Sequence, residues 1–204
     1  MIPVCSEDYF LAAQEKLSAM IEMAVYVMHK KGEEFINTFL SSPICHAFES
    51  GDPFILFGKS PNELLGILFN TAPPDSPHFY DASPEYWVGY VLAYVQYETD
   101  KPYKDLLEAF PYEDLLRAYF PYHEMDLTAI LQVFREKLRD RYGLKAMRER
   151  LGISQAQLAD LSGVPLRTIR SYEQGQNDIR KGTYETLRSL AATLRCEITD
   201  ILPA

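Results

Sequence analysis

The chain has 204 residues, of which 47% are hydrophobic and 13% aromatic, so it can fill a sizeable core and does not belong to the disordered class. The formal net charge of −9 is unevenly distributed, because residues 1–134 carry 7 Lys/Arg against 20 Asp/Glu whereas residues 135–204 carry 13 against 9. The sequence has neither a run of roughly 18 apolar residues, as a membrane helix needs, nor a basic secretion signal at its start, so we expect a cytoplasmic protein.

Helices dominate the prediction for the first 134 residues. A periodic apolar stretch from Tyr9 to Lys31 predicts a long helix that ends at Gly32, and residues 33–40 predict a short helix stopped by the Ser-Ser-Pro sequence at 41–43. The apolar residues 54–57 follow a Gly-Asp-Pro turn and predict a short buried strand or an extended segment.

Two further helix starts carry a serine followed by a proline. Ser60, Pro61 and Glu63 have the spacing of a capping box, and Ser83 with Pro84 opens a helix that reaches about residue 98. Between them, residues 71–84 contain four prolines and predict a mobile loop or junction. The helix from 84 is apolar nearly all round, which is typical of a buried helix and favours core packing over an aromatic ligand cage.

The rest of the first module contains a short near-repeat. Residues 103–112 and 112–122 each predict a short helix stopped by a proline, and residues 127–141 predict a last, charged helix. We therefore divide the chain into an acidic, aromatic-rich helical module at 1–134, a helical connector at 135–143 and a third part at 144–204.

The third part begins with two predicted helices. Leu144, Met147 and Leu151 lie on one face of the first helix. The second helix opens with a capping box at residues 154–157 and is expected to bury Leu158 and Leu161. Gly163 ends it where a positive φ is needed.

The next predicted helix runs from residue 165 or 166 to 174, so the connection is too short for an antiparallel pair, and Ala159 supplies the small residue at the steep crossing. Ile169 and Tyr172 should face the core. The residues expected to face outward are Leu166, Arg167, Arg170 and Ser171. Thr183 caps a fourth helix, and residues 198–202 form a short fifth helix.

The segment from Ile153 to Gly175, ISQAQLADLSGVPLRTIRSYEQG, resembles the helix-turn-helix of the phage repressor and Cro-like (XRE) family. The resemblance covers about residues 144–202. It implies an all-α, five-helix lambda-repressor-like domain that places its third helix in the major groove of double-stranded DNA as a dimer. This domain follows a larger, mainly helical N-terminal module.

The resemblance also implies roles for individual residues. Leu166, Arg167 and Ser171 would face base edges, with Arg167 the strongest base reader because its guanidinium can donate twice to guanine. The residues expected to contact phosphate, or to support such contacts, are Gln155, Thr168, Arg170, Arg180 and Lys181. Ala159, Gly163 and Ile169 would have structural roles.

Two positions depart from the family pattern. Pro165 stands where a serine or threonine commonly caps the recognition helix, and Arg195 stands where glycine commonly ends the fourth helix. A left-handed residue at Arg195 would cost on the order of 1 kcal/mol.

Residues 135–204 carry a net charge of +4, which can neutralise few phosphates. We therefore also expect a homodimer, assembled through the first module.

Three interpretations of the first module remain open. In the first, it dimerises a transcription regulator and can also sense a ligand. In the second, it binds and masks a toxin, as in an antitoxin that represses a shared promoter. In the third, it is an enzyme. Four scattered histidines with Cys5 and Cys45 form no catalytic motif, so we expect no enzyme. Three widely spaced cysteines suit reduced thiols, and the lone Cys45-His46 pair predicts neither a metal site nor a cofactor.

Overall fold

The computed structural model describes residues 7–75, 83–139 and 141–203. The chain divides into two compact units, Met1–Phe134 and Arg135–Ala204, each of which has its own core. Within the described ranges all regular structure is helical, which confirms the all-α prediction.

Unit 1 is built from helices of very different length. They are α1 (Glu7–Tyr26), α2 (Gly32–Leu40), α3 (Pro43–Glu49), α4 (Pro53–Leu56), α5 (Pro61–Phe69), α6 (Pro84–Thr99), α7 (Tyr103–Ala109), α8 (Tyr112–Tyr122) and α9 (Leu127–Leu138), the last of which runs through the boundary between the units.

The two longest helices, α1 and α6, pack closely against each other. Gly89 of α6 lies so near the backbone of Ser18 that a Cβ at position 89 would stand 2.5 Å from the Ser18 Cα. The Nε2 of Gln14 also donates to the carbonyl of Tyr90 at 3.2 Å. Trp87, Val91 and Val95 are buried on α6, as expected for a core helix.

The predicted helix starts of unit 1 are confirmed at atomic detail. The Ser60 hydroxyl accepts from the Glu63 backbone N–H, and the Glu63 carboxylate accepts from the Ser60 N–H, which completes the capping box. The Ser83 hydroxyl accepts from the Tyr86 N–H at 3.0 Å and opens α6. Of the predicted loop at 71–84, residues 76–82 lie outside the described part of the chain.

The strand or extended segment predicted at residues 54–57 is wrong, because this stretch begins with the helical turn α4. The Asp52 carboxylate accepts from the Phe54 N–H at 2.8 Å, and Pro53 occupies the first helical position. Only Leu56 is buried, whereas Phe54 is 66% exposed. The helix-start signal of Asp-Pro therefore outweighs the apolar run.

The end predicted for the first helix is also wrong. Helix α1 stops at Tyr26, His29 takes a left-handed φ of 54°, and Gly32 begins α2. A Cβ on Gly32 would stand 2.1 Å from the Tyr112 hydroxyl, so this glycine permits a close approach of α8.

The ends of two further helices, α8 and α9, also differ from the prediction. Pro121 lies inside α8, which continues to Tyr122, and the His123 N–H still donates to the Tyr119 carbonyl. A proline in the last turn removes one backbone donor without ending the helix. Helix α9 ends at Leu138, before the predicted residue 141.

Unit 2 contains the remaining helices: α10 (Leu144–Arg150), α11 (Gln155–Ser162), α12 (Leu166–Glu173) and α13 (Tyr184–Leu194), with 3₁₀ turns at Ile179–Lys181 and Ile198–Ile201. The second of these turns is the predicted fifth helix. Its Asp200 carbonyl accepts from the N–H of Gly143 at 2.8 Å, which joins the end of the unit to the start of α10.

The core of unit 2 is apolar and draws on all of its helices. Its buried members are Leu144, Met147, Leu158, Val164, Ile169, Ile179, Leu187, Leu190, Ala191, Leu194 and Ile201. The predicted burial of Leu161 is wrong, since this side chain is 67% exposed, and Leu151, predicted on the same helix face as the buried Leu144 and Met147, is also exposed. Both side chains fall outside the face that packs inward, which helical spacing alone does not locate.

Among the described residues, no helix is long and apolar enough to cross a membrane.

Candidate nucleic-acid interface

Helix α11 is fixed at both of its ends by local sequence. The Ser154 hydroxyl accepts from the Gln157 N–H at 3.2 Å, and the Gln157 amide oxygen accepts from the Ser154 N–H at 2.8 Å. At the other end Gly163 has a φ of 70°, a left-handed conformation in which glycine meets no Cβ penalty. Both features are as predicted.

Helix α12 starts three residues after Gly163. Pro165 is its N-cap, with φ −55° and no side-chain cap, and the Pro165 carbonyl accepts from the N–H groups of Thr168 and Ile169. Ile169 is fully buried, and Ala159 and Tyr172 pack against the same core. The inward face of α12 is therefore fixed by apolar contacts.

The outward face of α12 carries arginine. Arg167 and Arg170 are both exposed, and because they are three residues apart they lie on neighbouring parts of the helix surface. Leu166 and Thr168 are half-buried. The outward orientation predicted for Ser171 is wrong, since this residue is only 8% exposed.

A buried ion pair connects α10 to the end of α12. The Arg148 Nε donates to the Glu173 Oε1 at 2.7 Å, and its Nη2 donates to the Glu173 Oε2 at 2.9 Å. The hydrogen bond to Glu173 raises the pKa of Arg148 above its ordinary value, against the opposing effect of burial. Arg148 also donates to the Ile153 carbonyl at 2.9 Å, so it braces the turn before α11.

Gln155 belongs to the same network. Its Nε2 donates to the Glu173 Oε2 at 2.8 Å, which ties the first residue of α11 to the last residue of α12. The sequence reasoning gave Gln155 a phosphate role and Glu173 a place in the motif, but it missed Arg148. The sequence does indicate that Arg148 has a buried role, because it stands one turn after Leu144 on the apolar face of α10.

The segment between α12 and α13 presents the other predicted basic residues. Ile179 is buried and anchors it, while Arg180 and Lys181 are exposed on the 3₁₀ turn. The Arg180 guanidinium donates to the Pro203 carbonyl at 2.6 Å. The Thr183 hydroxyl then caps α13 by accepting from the Thr186 N–H, as predicted.

Together these contacts hold α11 and α12 in place and leave cationic side chains exposed. The positions of α11 and α12 are fixed by Gly163, by the core around Ile169 and by the Glu173 network. Guanidinium groups such as that of Arg167 can donate in pairs to the acceptors of guanine or of phosphate. In the described residues no group of three or more His, Cys, Asp or Glu side chains could hold a metal ion.

Comparison with known proteins agrees with this geometry. Residues 144–201 match the family model of the helix-turn-helix. No curated protein and no solved structure matches the chain. The segment is therefore a helix-turn-helix of the repressor and Cro-like (XRE) type, a DNA-binding regulatory domain that recognises double-stranded DNA.

Proposed function

We propose that the protein is a cytoplasmic transcription regulator that binds a specific double-stranded DNA site and represses its own promoter. The observation that carries this proposal is the exposed Arg167 at the start of a helix whose orientation is fixed by the buried Ile169 and by the Arg148–Glu173 pair. In a helix-turn-helix, residues near the N-terminus of the recognition helix contact base edges in the major groove, and an exposed arginine at such a position can donate to guanine.

The exposed residues divide into two proposed roles. Arg167 reads a base edge, and the half-buried Leu166 contacts a thymine methyl. Arg170 and Lys181 contact phosphate, Thr168 of α12 is a supporting contact, and these contacts position the domain. The burial of Ser171 argues against the base contact expected for it, so we leave it out of the interface.

Gln155 and Arg180 are already engaged within the protein. The Gln155 amide nitrogen donates to Glu173 and has a second hydrogen that can reach phosphate. The Arg180 guanidinium donates one hydrogen bond to Pro203 and keeps further donors for the DNA backbone. Both are therefore proposed as supporting contacts.

We further propose that two copies act together. Residues 135–204 carry a net charge of +4, and the affinity for phosphate grows with the number of phosphates neutralised, so a second copy on an adjacent half-site would roughly double the contacts. Unit 1 has large apolar side chains on its surface, among them Phe54, Phe57, Ile67 and Phe120, which suit a self-association surface.

A genome-wide binding map of the tagged full chain, followed by gel-shift titration of the recovered sites, tests this function. We expect a peak upstream of the protein's own gene and salt-dependent binding to it. Absence of salt-sensitive binding to any DNA, the upstream region included, would overturn the proposal.

The second candidate is an antitoxin whose unit 1 masks a toxin while unit 2 represses their shared promoter. The charge of −13 over residues 1–134, together with the exposed apolar side chains, favours a basic protein partner. A pull-down that returns a small protein encoded by the adjacent gene supports this candidate, whereas a pull-down that returns only the chain itself supports the regulator.

A further inference from the structure

Unit 1 contains a cavity of about 410 Å³ that the DNA-binding role does not use. It lies where the start of α1, the end of α3 and the end of α6 meet, and its volume falls within the range of small-molecule sites. Its lining combines aromatic and acidic residues.

Four aromatic side chains line this cavity: Tyr9, Phe10, Phe48 and Tyr97. The rings of Phe10 and Tyr97 are stacked with centroids 4.6 Å apart, which holds both in place. Phe48 is buried, whereas Tyr97 remains 43% exposed and so is accessible to a ligand. The negative face of an aromatic ring attracts a cation that lies within about 6 Å of the ring centre.

Two acidic residues, Glu49 and Asp100, line the same cavity, and none of its described lining residues is Lys, Arg or His. The Glu49 carboxylate is held by the backbone N–H of Tyr103, which donates to its Oε1 at 2.8 Å. The Cys45 thiol also lies 3.7 Å from that oxygen. Glu49 is thus placed by neutral donors.

The groups that donate to the Glu49 carboxylate are neutral. Burial, and then the charge of Glu49, raises the pKa of the Cys45 thiol to about 12, and the pKa of Tyr103 is also raised well above its usual value, chiefly by burial, so both neighbours stay neutral. The only basic group within 4.0 Å of Glu49 among the described ion pairs is the imidazole of His46, an 85% exposed side chain.

We propose that this cavity binds a small organic cation, with its ammonium group held between the Glu49 carboxylate and the aromatic rings. A fixed carboxylate supplies charge, and the rings supply a desolvated surface that tolerates the alkyl substituents of an ammonium group. A neutral ligand of the same shape would gain only the apolar contacts. The inference concerns unit 1 and does not depend on the proposed DNA-binding function.

Isothermal titration of the full chain, without DNA, tests the proposal with choline, tetramethylammonium and putrescine as probes. The control ligand is 3,3-dimethyl-1-butanol, which has the shape of choline without its charge. We expect saturable binding of at least one cation and an affinity for the neutral alcohol that is lower by about tenfold or more. Equal affinities for choline and the alcohol, or no saturable binding of any of the three cations, would overturn the proposal.

Two variants locate the binding site. Glu49→Gln removes the charge but keeps an oxygen that can accept from Tyr103, and Tyr97→Leu removes an exposed ring; each should weaken binding about tenfold. Glu113→Gln and Phe120→Leu change an exposed carboxylate and an exposed ring outside the cavity, so they should bind as the parent chain does. Unchanged affinity in the folded Tyr97→Leu variant would place the binding elsewhere and overturn the assignment.

Discussion

Arg148 and Glu173 lie 25 residues apart in the chain and form a two-point ion pair in the interior of unit 2, with donor–acceptor distances of 2.7 and 2.9 Å. The side chain of Glu173 is 3% exposed, so this charge depends on its partner. Because Gln155 donates to the same carboxylate, one buried group holds α10, α11 and α12 together.

Removal of one member of this pair should destabilise unit 2. Arg148→Met leaves the Glu173 carboxylate buried without a cation, and breaking a buried pair in this way costs about 3–5 kcal/mol. Hydrogen exchange of the full chain, followed by mass spectrometry, should show faster exchange of the α10–α12 amides. The double variant Arg148→Met/Glu173→Leu should recover part of the protection, because it leaves no isolated charge. Equal protection in the parent chain and the single variant would contradict this role.

Arg195 occupies a strained position that glycine would relieve. It is the C-cap of α13 and has a left-handed φ of 55°, as the departure from the family pattern predicted. Arg195→Gly should therefore raise the free energy of unfolding by about 1 kcal/mol, measured by urea denaturation. Arg188→Gly, in the interior of the same helix, should lower it by about 1 kcal/mol. A decrease in both variants would rule out relief of strain.

The sequence predicts those parts of the fold that are determined by residues only a few positions apart in the chain. The capping boxes at Ser60 and Ser154 and the left-handed turn at Gly163 satisfy backbone groups nearby, so their spacing is visible in the chain. The exposure of Leu161 and the burial of Ser171 depend on which neighbouring helices pack against them. Such contacts are long-range and leave no periodic signal of their own.

The same contrast between local and long-range contacts applies to the candidate site. The exposed Arg167 and Arg170 could be placed on one helix face from spacing alone. The pairing of Arg148 with Glu173 could not, since it connects two helices whose crossing is set by the whole core.

The Cys45 thiol gives a pH dependence of stability. Its pKa is raised from 9.0 to about 12, first by burial and then by the charge of Glu49, so the folded state favours the neutral thiol. This contribution is fully present below pH 9 and is lost as the pH rises toward 12. Urea denaturation at a series of alkaline pH values should show a steeper fall for the parent chain than for Cys45→Ala. Parallel curves would indicate that this thiol does not titrate differently in the folded and unfolded states.

A residue that contacts phosphate should contribute equally to the binding of every DNA sequence. Lys181 is exposed on the turn before α13, so Lys181→Ala should weaken binding to the recovered site and to a scrambled duplex by the same factor. The slope of log affinity against log salt should become shallower by about one unit. Lys145→Ala, which removes an exposed charge from α10, serves as the control and should leave the slope unchanged. A loss confined to the specific site would instead make Lys181 a base reader.

A base contact should behave in the opposite way. Arg167 is exposed at the second position of α12, and a guanidinium that donates twice to guanine contributes about 1–3 kcal/mol of discrimination. Arg167→Ala should therefore relax the preference at one base pair of each half-site, measured by gel shift against duplexes substituted one pair at a time. Arg167→Lys should recover charge but only part of the preference, because an ammonium lacks the planar fork. If Arg167→Ala weakened specific and scrambled DNA equally, the arginine would contact phosphate, and the base reader would have to be sought elsewhere on the exposed face of α12.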